Sequence, residues 1–178
     1  MSDRLAVMNG GKIEQVGAPQ DVYEDPETLF VADFLGVSNL MDATAQGARD
    51  GRCRVRADTF ELAAGSGAID LIGPAKIVIR PERVELEPRE AAAGPNRLPG
   101  MVERLGYVGW AAQVIVCVAP GEVLQVLVPN SGKVLPYEQG TPVQLYLPVD
   151  ALRVLAAPQE GEAEPVEPHA VADVSGHD

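Results

Sequence analysis

A chain of 178 residues with a 46% apolar fraction has room for one domain or two small ones. Its formal net charge of −12 argues against a phosphate-backbone partner, because nucleic-acid binding needs a basic face. No apolar run approaches the ~20 residues of a membrane span, and no signal-peptide order of basic, apolar and small residues is visible, so direct membrane insertion is not expected.

Leu5-Ala6-Val7-Met8 reads as a strand with apolar residues on both faces, which suits the inside of a larger sheet. One partner strand comes next, Lys12 to Val16, across an Asn9-Gly10-Gly11 turn. A lone hairpin is marginal in water, so this one is expected to belong to a sheet with further strands. Pro19 fits the first position of a helix, and Ala18 is a poor cap, so that helix should be short. Asp25-Pro26 looks like a second start, with Asp25 as cap. Phe30, Val31, Phe34 and Leu35 then form an apolar stripe, and Gly36 is the stop. The stripe and the hairpin together present apolar faces that need cover.

From Val37 the period changes. Asn39 to Ala45, Arg52 to Ala57, Phe60 to Ala63 and Lys76 to Ile79 read as strands, and Arg80-Pro81-Glu82 interrupts them as a bend or an edge. Val84 and Leu86 resume the alternation, and Ala91 to Pro99 reads as a linker. A second set comprises Met101 to Leu105, Ala112 to Val118, Val123 to Val128, Val143 to Leu147 and Leu152 to Leu155, with turns at Pro120-Gly121 and at Pro129 to Gly132. Strands this short and this closely spaced predict a mainly β fold, with residues 37–156 making one irregular barrel or two half-size barrels that share strands. Residues 157–178 contain no Lys or Arg but do contain Glu160, Glu162, Glu164, Glu167, Asp173 and Asp178. With three prolines interleaved, this segment is expected to be a disordered, solubilising tail.

The residues for catalysis are missing from the folded body. Both histidines, His169 and His177, fall in the tail, which removes the usual general base and the commonest zinc ligand. Cys53 and Cys117 lack metal-site spacing and read as two buried, reduced thiols. There is no G-x-x-x-x-G-K-[ST] loop and no G-x-G-x-x-G. Glu82, Glu85 and Glu87 read as a solvated strand face. Tyr107 and Trp110 flank a glycine, where they would stack a ligand, meet a partner protein or close the core. No enzyme is expected of this chain as it stands.

The opening stretch resembles a known family. Ser2-Asp3-Arg4-Leu5-Ala6-Val7-Met8, Gly11 to Gly17, Pro19, Tyr23, Pro26 and Phe30-Val31-Ala32-Asp33-Phe34-Leu35-Gly36 are similar to the last part of the nucleotide-binding domain in ATP-binding subunits of ABC importers of the polyamine, iron and sugar class. Ile79-Arg80-Pro81-Glu82 resembles the Arg-Pro-Glu signature of the transport-associated OB (TOBE) domain that comes after it, and Asp150 to Leu155 fits its closing strand. Phe34 to Asn39 leans toward the polyamine type.

The resemblance implies a C-terminal remnant of the nucleotide-binding domain over 1–36, an OB-type β-barrel regulatory domain over 37–156, and the tail. It implies a regulatory and pairing role in solute import, an ATPase dimer mate, contact with membrane permease subunits through a domain absent from this chain, a homodimer, and a cytoplasmic place at the inner face of the membrane. ATP and magnesium would be bound by motifs upstream of Met1, so no cofactor or catalytic residue is carried over; Arg80, Glu82, Tyr107 and Trp110 are the candidate regulatory or interface residues. Two alternatives stand beside it: a stand-alone oxyanion-binding OB module, from the Asn96-to-Val102 stretch, and a non-functional truncated product.

Overall fold

A computed structural model describes residues 3–91, 94–119, 121–130, 132 and 135–158. The expectations placed on His169, His177 and most of the acidic tail lie outside the described residues.

The first unit is small. Strands β1 (Leu5–Asn9) and β2 (Lys12–Gly17) form a two-stranded antiparallel sheet, and Gly10 and Gly11 take the positive φ angles of 54° and 80° that a tight hairpin turn demands. Helices α1 (Pro19–Glu24) and α2 (Leu29–Phe34) are six residues each. Pro19 opens α1 and Ala18 gives it no side-chain cap, as expected.

The second start differs from the expectation. Thr28, not Asp25, caps α2, its hydroxyl accepting from the Val31 N–H at 3.3 Å. Asp25 instead ends α1 by donating its N–H to Asp21 O at 2.7 Å. The Gln15 side chain then holds the link extended, donating to Asp25 O and accepting from Glu27 N–H, both at 3.0 Å. Val7, Val22 and Val31 bury themselves between hairpin and helices. The hairpin is bare elsewhere: Met8, Ile13 and Val16 are exposed, as is Phe34 of α2, in keeping with apolar faces that lack cover.

The rest of the chain repeats one plan twice. In the first pass β3 (Asn39–Arg49), β4 (Arg52–Ala57), β5 (Phe60–Ala64), the two-residue β6 (Ser66–Gly67) and β7 (Ile72–Ile79) are followed by a 3₁₀ turn (Pro81–Arg83) and β8 (Glu85–Pro88). In the second, β9 (Arg97–Tyr107), β10 (Ala111–Ala119), β11 (Glu122–Pro129) and β12 (Pro142–Tyr146) are followed by a 3₁₀ turn (Val149–Ala151) and β13 (Arg153–Ala156). The sheets run β5-β4-β3-β7 and β11-β10-β9-β12 in the same order, and each then receives the other pass's last strand: β13 pairs with β7, and β8 with β12. Of the two architectures left open by the sequence, the structure is nearer the second: two curled, half-barrel-like sheets that exchange their last strands.

One core joins them. Val55, Ile77, Leu98, Val102, Val114, Val116, Leu124, Leu145, Leu147 and Leu152 are among its members, contributed by both sheets.

Three strands outgrow their expected limits by more than one residue at an end. β3 continues to Arg49 through an irregularity between Ala45 and Ala48, and β7 begins at Ile72. The expected linker loses Arg97-Leu98-Pro99 to β9, where Leu98 is fully buried. Pro99 is tolerated because the β9–β10 pairing stops at Met101, so its missing N–H faces no neighbour on that side. Cys53 is buried as expected, but Cys117 is only half-buried, since it shares the outward face of β10 with Gln113 and Ile115; both thiols are free.

Candidate functional site

The sequence-predicted residues fall in two places. Arg80 and Glu82 lie at the junction of the N-terminal unit with the β-domain. Tyr107 and Trp110 lie at the β9–β10 turn. Among the described residues, no hydrogen bond, ion pair or ring contact joins the two sets.

The junction is built around Arg80. The end of β7 and the Pro81 turn point its side chain into the first unit, where the residue is 5% exposed. Its Nε and Nη2 both donate to Tyr23 O, at 3.3 and 2.9 Å. Its Nη1 donates to Ala32 O at 2.9 Å, Gly36 O at 3.2 Å and Ser38 Oγ at 2.6 Å. These oxygens cluster at the ends of α1 and α2, where carbonyls have no intrahelical partner. Only a planar fork of five donors satisfies so many at once.

The guanidinium also lies 4.1 Å over the Tyr23 ring. The Tyr23 hydroxyl donates to Glu82 Oε1 at 2.7 Å. Burial, then the Glu82 carboxylate, pushes the Tyr23 phenol above its ordinary pKa, and burial pulls the Arg80 guanidinium below its own.

A second arginine, missed in the sequence, supports the same junction. Arg153 donates to Pro26 O and to Asp25 Oδ1, both at 2.7 Å. Ala32, Val78 and Leu155, with Leu29, form an apolar contact beside it. A cleft of about 350 Å³ remains at the seam, lined by charges of both signs: Arg80 and Arg83 against Glu24, Asp25, Glu82 and Asp150.

The acidic strand face is corrected. Glu82 sits in the 3₁₀ turn and is bonded to Tyr23, while Glu87 forms a two-pronged pair with Arg97 at 2.9 and 3.0 Å, itself stacked 4.2 Å over Tyr146. Of the three, only Glu85 remains a solvated strand carboxylate with no ion pair among the described residues.

Tyr107 and Trp110 are 57% and 67% exposed, with exposed Val108 between them. They therefore do not close the core. The Trp110 carbonyl accepts from Asn130 N–H at 2.8 Å, which fixes the turn and leaves the ring outside. Replacing both with serine is expected to change stability by no more than about 0.5 kcal/mol, the ordinary scatter of surface substitutions; a urea melt checks this, and a larger loss would show packing at the turn.

Two asparagines were also missed. Asn39 and Asn96 stand at the same point of the two repeats, just where β3 and β9 begin. Asn39 exchanges a pair of bonds with the backbone of Gln125 in β11, at 2.8 and 2.7 Å. Asn96 does the same with Ala63 in β5, at 2.8 Å each, and adds a bond to Leu147 O at 2.9 Å. Each amide thus extends the edge strand of the other half. The recurrence of Asn ahead of a long strand was the available signal.

The chain lacks the phosphate-cradling loop, and no group of three or more His, Cys, Asp or Glu among the described residues is placed to hold a metal ion. No helix there is long and apolar enough to cross a membrane.

Comparison with known proteins agrees with this geometry. A TOBE-domain family model matches residues 77–155, from inside β7 to inside β13. The chain is 32% identical over 155 residues to the spermidine/putrescine import ATP-binding protein PotA of Trichodesmium erythraeum, covering 82% of this chain and 40% of that protein. For the protein of the same name from Acidothermus cellulolyticus the identity is 34%, over 74% of this chain and 35% of the relative. For that of Thermobifida fusca it is 40%, over 61% and 29%. The chain thus spans less than half the length of these relatives. Among solved structures, the cytoplasmic molybdate-binding protein ModG shares the fold with a TM-score of 0.55 at 13% identity, over 67% of this chain and 96% of that one. Residues 77–155 are a TOBE domain, and the chain belongs with the C-terminal, TOBE-bearing parts of ABC-importer ATP-binding subunits.

Proposed function

We propose that this chain acts as the regulatory and pairing C-terminal part of an ATP-binding subunit that energises import of a small solute of the polyamine class. The observation that carries the reading is the similarity, over most of the chain, to proteins named for spermidine/putrescine import. Residues 1–36 are read as the end of the nucleotide-binding domain, 37–156 as the regulatory domain and 157–178 as a tail. The bare hairpin face of Met8, Ile13 and Val16 supports this, because such a surface suits a strand pair that completes a larger sheet.

ATP and magnesium are bound outside these residues, and hydrolysis is not this chain's own work. Arg80 and Glu82 fix the regulatory domain to the last helices of the ATPase part, so a movement of one moves the other. Tyr107 and Trp110 offer a contact for a partner. The partners are an ATPase dimer mate, a second copy of the β-domain and, through the ATPase part, the membrane permease. The place of work is the cytoplasmic face of the inner membrane.

Deleting the gene is expected to lower uptake of radiolabelled putrescine or spermidine several-fold, with recovery when the gene is restored. Unchanged uptake of both would refute the polyamine assignment.

The fold of ModG, a molybdate-binding protein, supports a second reading, an oxyanion-binding module. Calorimetric titration with molybdate separates the two: the importer reading expects no heat at millimolar ligand, and saturable heat would favour the oxyanion binder.

A further inference from the structure

The two halves of the β-domain share one plan but not one surface. In the second half the outward positions of β10 are Gln113, Ile115 and Cys117, all half-buried. In the first half the matching strand is β4. It turns out Arg52, Arg54 and Arg56, all exposed, while Cys53, Val55 and Ala57 are buried. Arg49 stands directly across from Arg52 on β3 and is exposed too. The plan is thus built once without charge at this position, so the arginines are not required to form the sheet.

Their arrangement carries a cost. Like charges opposed on a sheet repel, as Arg49 and Arg52 do, and none of the four guanidiniums has an ion-pair partner among the described residues. The ion pairs found there are Lys76–Asp42, Arg97–Glu87 and Arg153–Asp25. Four of the 14 basic residues therefore stand together at one hairpin of a chain whose net charge is −12.

The shape of this charge selects its partner. Alternate residues of a strand stand ~6.8 Å apart, so Arg52 to Arg56 make a single file ~14 Å long. The file is one strand wide. On the β5 side Arg54 faces Ala63 and Arg56 faces Glu61. On the β3 side Arg56 faces Thr44. Exposed Asp50 and Asp58 sit in the turns at the two ends of β4. A bilayer or a nucleic-acid duplex spreads its anions over a broad surface and would meet these carboxylates as well, which repel it. A single extended chain meets the file alone. Its own alternate side chains repeat at the same ~6.8 Å. Carboxylates at every second residue then fall on successive guanidiniums, each a planar fork that fits a carboxylate.

We propose that the Arg52, Arg54 and Arg56 file, with Arg49 beside it, is a docking line for an extended acidic segment of a partner protein that carries carboxylates at alternate positions. The contact is exposed and electrostatic, so it weakens with salt. This does not rest on the importer reading.

The full chain is titrated with two synthetic peptides and followed by amide NMR. One peptide alternates four Glu with four Ser; the other has the same composition with the four Glu in a block. At low salt the alternating peptide is expected to move the resonances of residues 49–56 with a Kd of ~1 mM, the strength of a few exposed ion pairs. The block peptide should bind at least about threefold more weakly, since half of its carboxylates point away from the file. Both shifts should vanish near 1 M salt, where the screening length is ~3 Å. A variant carrying Arg52→Gln, Arg54→Gln and Arg56→Gln should lose binding of the alternating peptide about tenfold or more. Unmoved resonances over 49–56 would overturn the proposal, and equal affinity for the two peptides would overturn it by removing the match of spacing. Sedimentation with phosphatidylglycerol vesicles in place of peptide binding would assign the file to a membrane instead. Shifts over 49–56 that grow with protein concentration before peptide is added would assign it to a second copy.

Discussion

Arg80→Ala is expected to detach the N-terminal unit from the β-domain without unfolding the latter. The substitution strips donors from Tyr23 O, Ala32 O, Gly36 O and Ser38 Oγ at a site that is 5% exposed. Each buried acceptor left bare costs ~1–3 kcal/mol, and the cation over the Tyr23 ring is lost as well. Rehydration on opening limits the total to about 2–4 kcal/mol, which is roughly 30- to 1000-fold in the opening equilibrium.

Hydrogen exchange should therefore accelerate by that factor in residues 19–38 while β9, β10 and β12 keep their protection. Arg80→Lys should recover little, because one ammonium cannot fork to both helix ends or stack as a plane. Glu82→Gln should cost under about 1 kcal/mol, since its bond to Tyr23 is exposed. If exchange rises equally in the strands, the junction is part of one cooperative unit and the detachment idea fails.

Asn96 is expected to be the most sensitive polar side chain of the β-domain. It is 1% exposed, holds φ at 58°, and spends three side-chain hydrogen bonds on Ala63 and Leu147. Asn96→Ala leaves those backbone groups unpaired and forces a left-handed backbone on a residue that resists it, a loss of about 3–5 kcal/mol. Asn96→Gly removes the same bonds without the backbone strain and should be milder by about 1 kcal/mol.

Asn39, its counterpart, makes two such bonds and has no positive φ, so Asn39→Ala should cost about 1–3 kcal/mol. Urea melts give the order directly: Asn39→Ala mildest, then Asn96→Gly, then Asn96→Ala. Equal losses for the two Asn96 variants would mean that the backbone conformation contributes nothing.

These residues show why legibility stopped where it did. The Arg-Pro-Glu stretch was visible as an interruption between apolar runs, because Pro81 cannot join a ladder. That Arg80 turns inward to two helix ends was not visible, because its acceptors lie more than 40 positions earlier in the chain. Tyr107 and Trp110 were visible as aromatics beside glycines, but nothing local tells a ring that closes a core from one left on a turn. The second helix start was misplaced because Asp25-Pro26 satisfies the local capping rule equally well; the Gln15 side chain, from another strand, removes that option.

The sequence by itself determined the strand content, the break at Arg80, the short first helix and the kinship of the chain. All of these come from period, turn chemistry and residue type, which act over a few neighbours. Only the tertiary structure decided that the β-domain is one plan repeated, with β8 and β13 exchanged between the halves. It also decided that Asn39 and Asn96 latch the edges and that arginines weld the first unit to the second. Those outcomes depend on which unpaired carbonyls and strand edges come to face each other, and local preference carries no term for a partner fifty residues away.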